Sequence, residues 1–126
     1  MAVTHSVAAR NSLANQIDAL INTGTGPAGT LRFNTATGAE VATCTFSVIV
    51  FGNATGGTIT AASITDDTSA AGGTTTAAVL RDQNAATVVS CSVSATGGGG
   101  DIVLSNNVIG AASTVSVTSL TYSAPT

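Results

Sequence analysis

The chain reads as all-β: a jelly-roll-like β-sandwich of about eight short antiparallel strands with one N-terminal α-helix. Three observations predict this. From Thr30 onward, short alternating apolar and polar runs are separated by clusters of Gly, Asn, Asp and Ser. Only one segment, near the start, has helical periodicity. Two stretches, LRFNTATGAEVATCTFS (31–47) and LRDQNAATVVSCSVS (80–94), share an outline of Leu-Arg, a polar turn and a β-rich climb to a Cys. Such twins suit a fold with two similar halves. The length of 126 residues fits a single domain, 1–126, with residues 1–23 as arm and helix and 30–122 as the sandwich.

The helix is expected over 6–21, where Leu13, Ile17, Leu20 and Ile21 recur at helical spacing, with Val7 and Ala14 near the same side. Thr4 or Ser6 can cap its start, and Gly24 stops it. Arg10, Asn11, Gln16 and Asp18 then lie toward water. Next, Leu31 and Phe33 alternate with polar neighbours, and Thr37-Gly38-Ala39 turns the chain. Ala42, Cys44, Phe46 and Val48 share one face of the following strand, opposite Val41, Thr43, Thr45 and Ser47. After a glycine-rich break at 52–57 come strands at Thr58–Thr65 and Thr74–Arg81, and a turn at Gln83-Asn84-Ala85 leads into Thr87–Ser94. Gly97–Gly100 reads as a flexible hairpin or loop tip before Ile102–Ser105, and Thr114–Tyr122 as the last long strand.

Composition narrows the function. Only 7% of residues are charged, against about 25% in an ordinary globular domain. Lys is absent, and the cations are Arg10, Arg32 and Arg81. A net charge of -3 and 3% aromatic residues supply neither the basic face nor the stacking rings that nucleic acids require. A surface of hydroxyls and methyls suits packing against other protein. The first 21 residues lack a cationic leader with an uninterrupted apolar stretch, and no run approaches the roughly 20 apolar residues of a membrane span. The expectation is therefore a chain made in a cytoplasm, with no membrane partner.

The two cysteines raise four possibilities: a disulfide, a metal pair, a redox couple or two core positions. Cys44 shares a face with Phe46, and Cys91 with Val89 and Val93, so both are expected to point inward as small, unlinked apolar residues. A zinc site needs about four ligands, which a remote His5 does not complete. GTGPAG (24–29) has the spacing of a dinucleotide loop but follows a helix and precedes a strand, the reverse of the required order, so it is read as a linker. GGGGD (97–101) lacks the Lys-Ser/Thr of a phosphate loop, and Asp66-Asp67 lacks the spaced ligands of a calcium loop. Catalysis needs His or paired carboxylates in a cleft. The one His precedes the helix, and Glu40, Asp82 and Asp101 sit at turns. No enzyme activity, cofactor or metal is expected.

The order of short motifs carries a resemblance. Thr4-His5-Ser6, Ala9-Arg10-Asn11 and Leu13-Ala14 open the chain, followed by Glu40-Val41-Ala42-Thr43, Thr45-Phe46-Ser47 and Phe51-Gly52. Asp101-Ile102, Leu104-Ser105, Ile109-Gly110, Val115-Ser116-Val117, Ser119-Leu120-Thr121-Tyr122 and Ala124-Pro125 complete the series. In this order the chain resembles a family of small tailed-bacteriophage virion proteins; the two cysteines and the four-glycine run depart from the pattern. The resemblance implies a head-associated capsid cement or decoration protein on the capsid surface, made in the host cytoplasm. It would bind the major capsid protein across capsomer junctions as a homo-oligomer, a dimer or trimer, and it carries over no catalytic residue. The alternative is a tail or head-fibre adhesin for surface carbohydrate, which the scarcity of Trp and Tyr disfavours. The expected partner contacts are Val3, His5 and Arg10 in the stretch 2–10, and Phe51 and Asn53 in the loop 51–54.

Overall fold

The computed structural model describes residues 3–125. One helix, α1 (Val7–Ile21), begins at Ser6, whose hydroxyl accepts from the Ala9 amide at 3.1 Å, and closes at Asn22. Its bounds match the sequence pattern, but its inward face does not. Ala14 and Ile21 are fully buried and Ile17 half-buried, while Leu13 and Leu20 stay 44% and 42% exposed. Arg10, Asn11 and Asp18, expected toward water, are half-buried instead. The cause lies in what the helix packs on: a stretch of loop with free amides, which demands acceptors as well as methyl groups.

Ten strands follow among the described residues: β1 (Thr30–Asn34), β2 (Glu40–Phe46), β3 (Thr58–Thr60), β4 (Ile64–Thr65), β5 (Gly73–Thr74), β6 (Ala77–Arg81), β7 (Thr87–Ala95), β8 (Ile102–Leu104), β9 (Val108–Ile109) and β10 (Thr121–Ser123). Six form one sheet in the order β4-β2-β1-β6-β7-β8, and two ribbons, β10-β3 and β5-β9, accompany it. The molecule is thus mostly β, a curled mixed sheet with one helix. The expectation of antiparallel strands throughout fails at β8, which pairs parallel to β7 with Val93 opposite Ile102.

Glycine explains that reversal. A Cβ on Gly98 would meet the Ser94 side chain at 2.6 Å, and one on Gly100 the Ser94 amide at 2.9 Å, so the loop folds flat against its own strand. Gly97 and Gly99 take the positive φ angles, 88° and 76°, that let it curl back. The Ser94 hydroxyl accepts from the Gly100 amide at 2.9 Å and secures the return. Four glycines therefore build a crossover where a hairpin tip was expected.

Two other expectations are corrected. Val48 does not continue the inward face of β2; the strand ends at Phe46 and Val48 is 77% exposed. Thr114–Tyr122 is not one long strand. Val115 is buried and bridges Asp67, and the Leu120 carbonyl accepts from Ala61, but pairing begins only at Thr121. The alternation of Val115 and Val117 reports an inward-facing side, which a segment laid on a sheet shares with a strand inside one.

The twin stretches are real but offset from the Leu-Arg match. The increment that takes Cys44 to Cys91 also takes Leu31 to Ala78, Phe33 to Leu80, Thr35 to Asp82 and Phe46 to Val93. Both hairpins turn alike. Thr35 N–H donates to the Ala39 carbonyl at 2.8 Å, and Asp82 N–H to the Ala86 carbonyl at 2.9 Å. The fourth turn residue has positive φ in each, Gly38 at 89° and Ala85 at 65°. Each hairpin also shifts register beside its turn, at Phe33/Asn34 and at Leu80/Arg81. β1 and β6 pair antiparallel with Arg32 opposite Val79, its own equivalent, so a local two-fold passes through that pair.

One face of the sheet makes the core. Leu31, Phe33, Ala42, Cys44, Phe46, Ala78, Leu80 and Val93 lie there, in one buried cluster with Ala14, Ile21, Phe51, Ile59 and Val115. Each large side chain contributes about 1.5–3 kcal/mol by leaving water. On the opposite face Thr30, Arg32, Thr43, Thr45, Val79, Arg81, Ser90 and Ser92 are each half-buried or exposed.

Candidate functional site

The helix and the 51–57 loop form one ledge, held by three side-chain oxygens on successive turns. Asn11 Oδ1 accepts from the Gly57 amide at 2.7 Å, Asn15 Oδ1 from the Ala54 amide at 2.9 Å, and Asp18 Oδ1 from the Phe51 amide at 3.2 Å. Positions 11, 15 and 18 share a side of a helix, so the ladder follows from spacing. The loop runs antiparallel to the helix along it. Arg10 closes the far end: a Cβ on Gly57 would meet its guanidinium carbon at 2.8 Å, and Nη2 donates to the Ala124 carbonyl at 3.5 Å.

This geometry sorts the expected contact residues. Val3 is 80% exposed, and His5 and Asn53 are exposed as well. Arg10 is half-buried and Phe51 is 2% exposed, its ring centroid 5.9 Å from that of Phe46. Phe51 packs inward and Arg10 braces the ledge against the body; Ala2, in the expected contact stretch, lies outside the described residues. Apolar residues other than the expected contacts are also exposed. Val48 and Ile49 stand 77% and 71% exposed on the tip between β2 and Phe51, braced by the Ser47 hydroxyl donating to the Ile49 carbonyl at 2.5 Å. Leu13 and Leu20, two turns apart on the helix, form a separate exposed apolar strip on the side turned away from the loop. The signal available was the Ser-Val-Ile-Val-Phe run at 47–51, too long for a strand alternating between two faces.

The cysteines answer to the same register. Cys44 pairs with Leu31, which pairs with Leu80, which pairs with Val89; Cys91 lies two residues further along β7. They share the core face with two strands between them, about 14 Å along the sheet at one strand spacing of about 4.8 Å each. A disulfide needs Cα atoms within about 7 Å, so both thiols are free. Cys44 is fully buried, its Sγ 3.6 Å from the Val115 carbonyl, while Cys91 is half-buried. Burial pushes both thiols up from their ordinary value, and the Asp101 charge adds to this at Cys91. Neither is poised as a nucleophile.

Two cavities flank Leu120 and Ile102. The first, about 330 Å³, is lined by residues such as Phe33, Leu104, Val117 and Thr118 and holds no ionisable side chain. The second, about 360 Å³, meets Leu80, Cys91, Asp101 and Tyr122. Asp101 is held below the usual carboxylate range by the Ser92 amide and hydroxyl, both donating to Oδ2, at 2.9 and 3.0 Å. It stays a charged acceptor rather than a proton donor. Among the described residues no group of three His, Cys, Asp or Glu side chains is placed to hold a metal ion. Compared with family models, curated proteins and solved structures, the chain matches none.

Proposed function

We propose that the chain is a structural virion protein, a capsid cement or decoration protein that adheres to the outside of a phage head and strengthens contacts between capsomers. The observation that carries this reading is the apolar tip of the ledge: Val48 and Ile49 exposed beside a loop that the Asn11–Asn15–Asp18 ladder holds in place. A fixed support lets apolar side chains remain exposed for a partner at little ordering cost on binding. The low charge reduces desolvation when a neighbour covers them. Each copy bridging two capsomers would bury on the order of 1,000–2,000 Å², and repetition over a symmetric shell multiplies the effect. The partner in this reading is the major capsid protein, and the protein acts as a dimer or trimer.

In the same reading the fold is a jelly-roll-like sandwich whose second layer is reduced to the β3–β10 ribbon and the helix. A map of the assembled particle tests both levels. Density for the chain outside the shell, at a fixed ratio to the major capsid protein, is expected; its absence from heads, or presence only on tails, rejects the reading.

A further inference from the structure

We propose that the open face of the six-stranded sheet, centred on Arg32 and Arg81, is a docking surface for an extended acidic protein segment carrying two carboxylates at positions i and i+2. The chain has three cations, and two of them meet on this one face. Thr30 pairs with Arg81 and Arg32 with Val79, so the two arginines are diagonal neighbours across β1 and β6. Neither is ion-paired among the described residues. Arg81 Nε donates to the Thr30 hydroxyl at 3.2 Å. Arg32 Nε is shielded from solvent and donates to nothing among the described residues.

The nearby carboxylates do not fill this role. Glu40 accepts from the Thr43 hydroxyl at 2.6 Å at one border of the face, and Asp101 accepts from Ser92 at the other. Between them the surface offers two guanidinium groups, the half-buried methyls of Val79, and the hydroxyls of Thr43, Thr45 and Ser90.

Spacing identifies the ligand. Diagonal neighbours in an antiparallel pair stand about 7–8 Å apart, and side chains at i and i+2 of an extended chain about 7 Å apart on one side. An acidic-x-acidic segment laid across β1 and β6 therefore sets one carboxylate on each guanidinium, where bidentate bonds form. Two cations without stacking rings are too few for a nucleic acid. The face is open, without the converging amides that cradle a lone phosphate. Assigning the segment to the major capsid protein rests on the cement reading; the charge and spacing of the face do not.

The test is a titration of the 12.1 kDa chain, followed by amide chemical shifts, with the capped peptide Gly-Glu-Ser-Glu-Gly. Controls are Gly-Lys-Ser-Lys-Gly, inorganic phosphate and a sulfated polysaccharide. The expected result is salt-sensitive binding of the glutamate peptide alone, shifting Arg32, Thr43, Val79 and Arg81 and sparing Val48 and Ile49. Binding should weaken at least about tenfold in R32Q/R81Q, the loss expected for two charge-assisted contacts. No binding, shifts elsewhere, or stronger binding of phosphate or polysaccharide overturns the proposal, and these outcomes need only the wild-type protein. Re-addition to stripped heads separates the two readings. If wild type rebinds and R32Q/R81Q does not, both stand. If both rebind equally, the docking face falls and the cement reading survives. If wild type fails to rebind, the cement reading falls and the peptide titration alone judges the face.

Discussion

Cys44 and Cys91 occupy equivalent places in two equivalent hairpins, yet their surroundings differ: one is sealed under Val115, the other borders a cavity. Substitution should separate them. Cys44→Ser buries a hydroxyl in an apolar site and should cost about 1–3 kcal/mol, whereas Cys91→Ser, half exposed, should stay within about 0.5 kcal/mol. Urea unfolding of the two variants makes the comparison. The same thiols set an alkaline limit. Burial raises both above their ordinary 9.0 in the folded state, so the unfolded chain loses thiol protons first as pH rises. The stability they provide is complete below pH 9.0 and is lost above it. Melting temperature should therefore fall more steeply above that pH in wild type than in Cys44→Ala/Cys91→Ala.

At the scale of elements, the helix shows what a sequence does and does not disclose. Its bounds follow from Ser6, from the spacing of Ala14, Ile17 and Ile21, and from the stop before Gly24. Its orientation does not, because Asn11 and Asp18 look like solvent residues until the loop they serve is known. Asn11→Ala should strand the Gly57 amide, which is buried, and cost about 1–3 kcal/mol. Asn15→Ala, at an exposed bond, should cost less. Hydrogen exchange at Gly57, Ala54 and Phe51 would report the release. The hairpin turns at 35–39 and 82–86 were legible through Gly38 and Asn84-Ala85. The parallel placement of β8 was not, since a four-glycine run specifies permission to bend and no direction. The Leu-Arg pairs misled for a related reason: Leu31 stands near the start of β1 and Leu80 near the end of β6, so identical dipeptides hold different places in matching hairpins.

For the whole molecule, the expected all-β character with one helix holds. The strands are not all antiparallel, and the curled mixed sheet presents a core face and an open face, with two ribbons beside it. Of the five expected contact positions, Val3, His5 and Asn53 are exposed, Arg10 is half-buried and Phe51 is buried, because a Phe after a Val-Ile-Val run is as useful to a core as to a neighbour. The ledge is the surface to disable. Val48→Asp with Ile49→Asp should change stability by no more than about 0.5 kcal/mol while abolishing rebinding to stripped heads, read by co-sedimentation. Unimpaired rebinding would remove the ledge from the interface.

The sheet ends in a two-residue strand on one side, β4, and a three-residue strand on the other, β8. Strands this short offer little ladder of their own, but β8 covers only Val93–Ala95 of β7, so the outer edge of β7 from Thr87 to Ser92 stays open to an added strand, apart from the Ser92 amide, which Asp101 takes. That edge is the place where a second chain could add a strand to the sheet, and a charged or proline substitution there would close it.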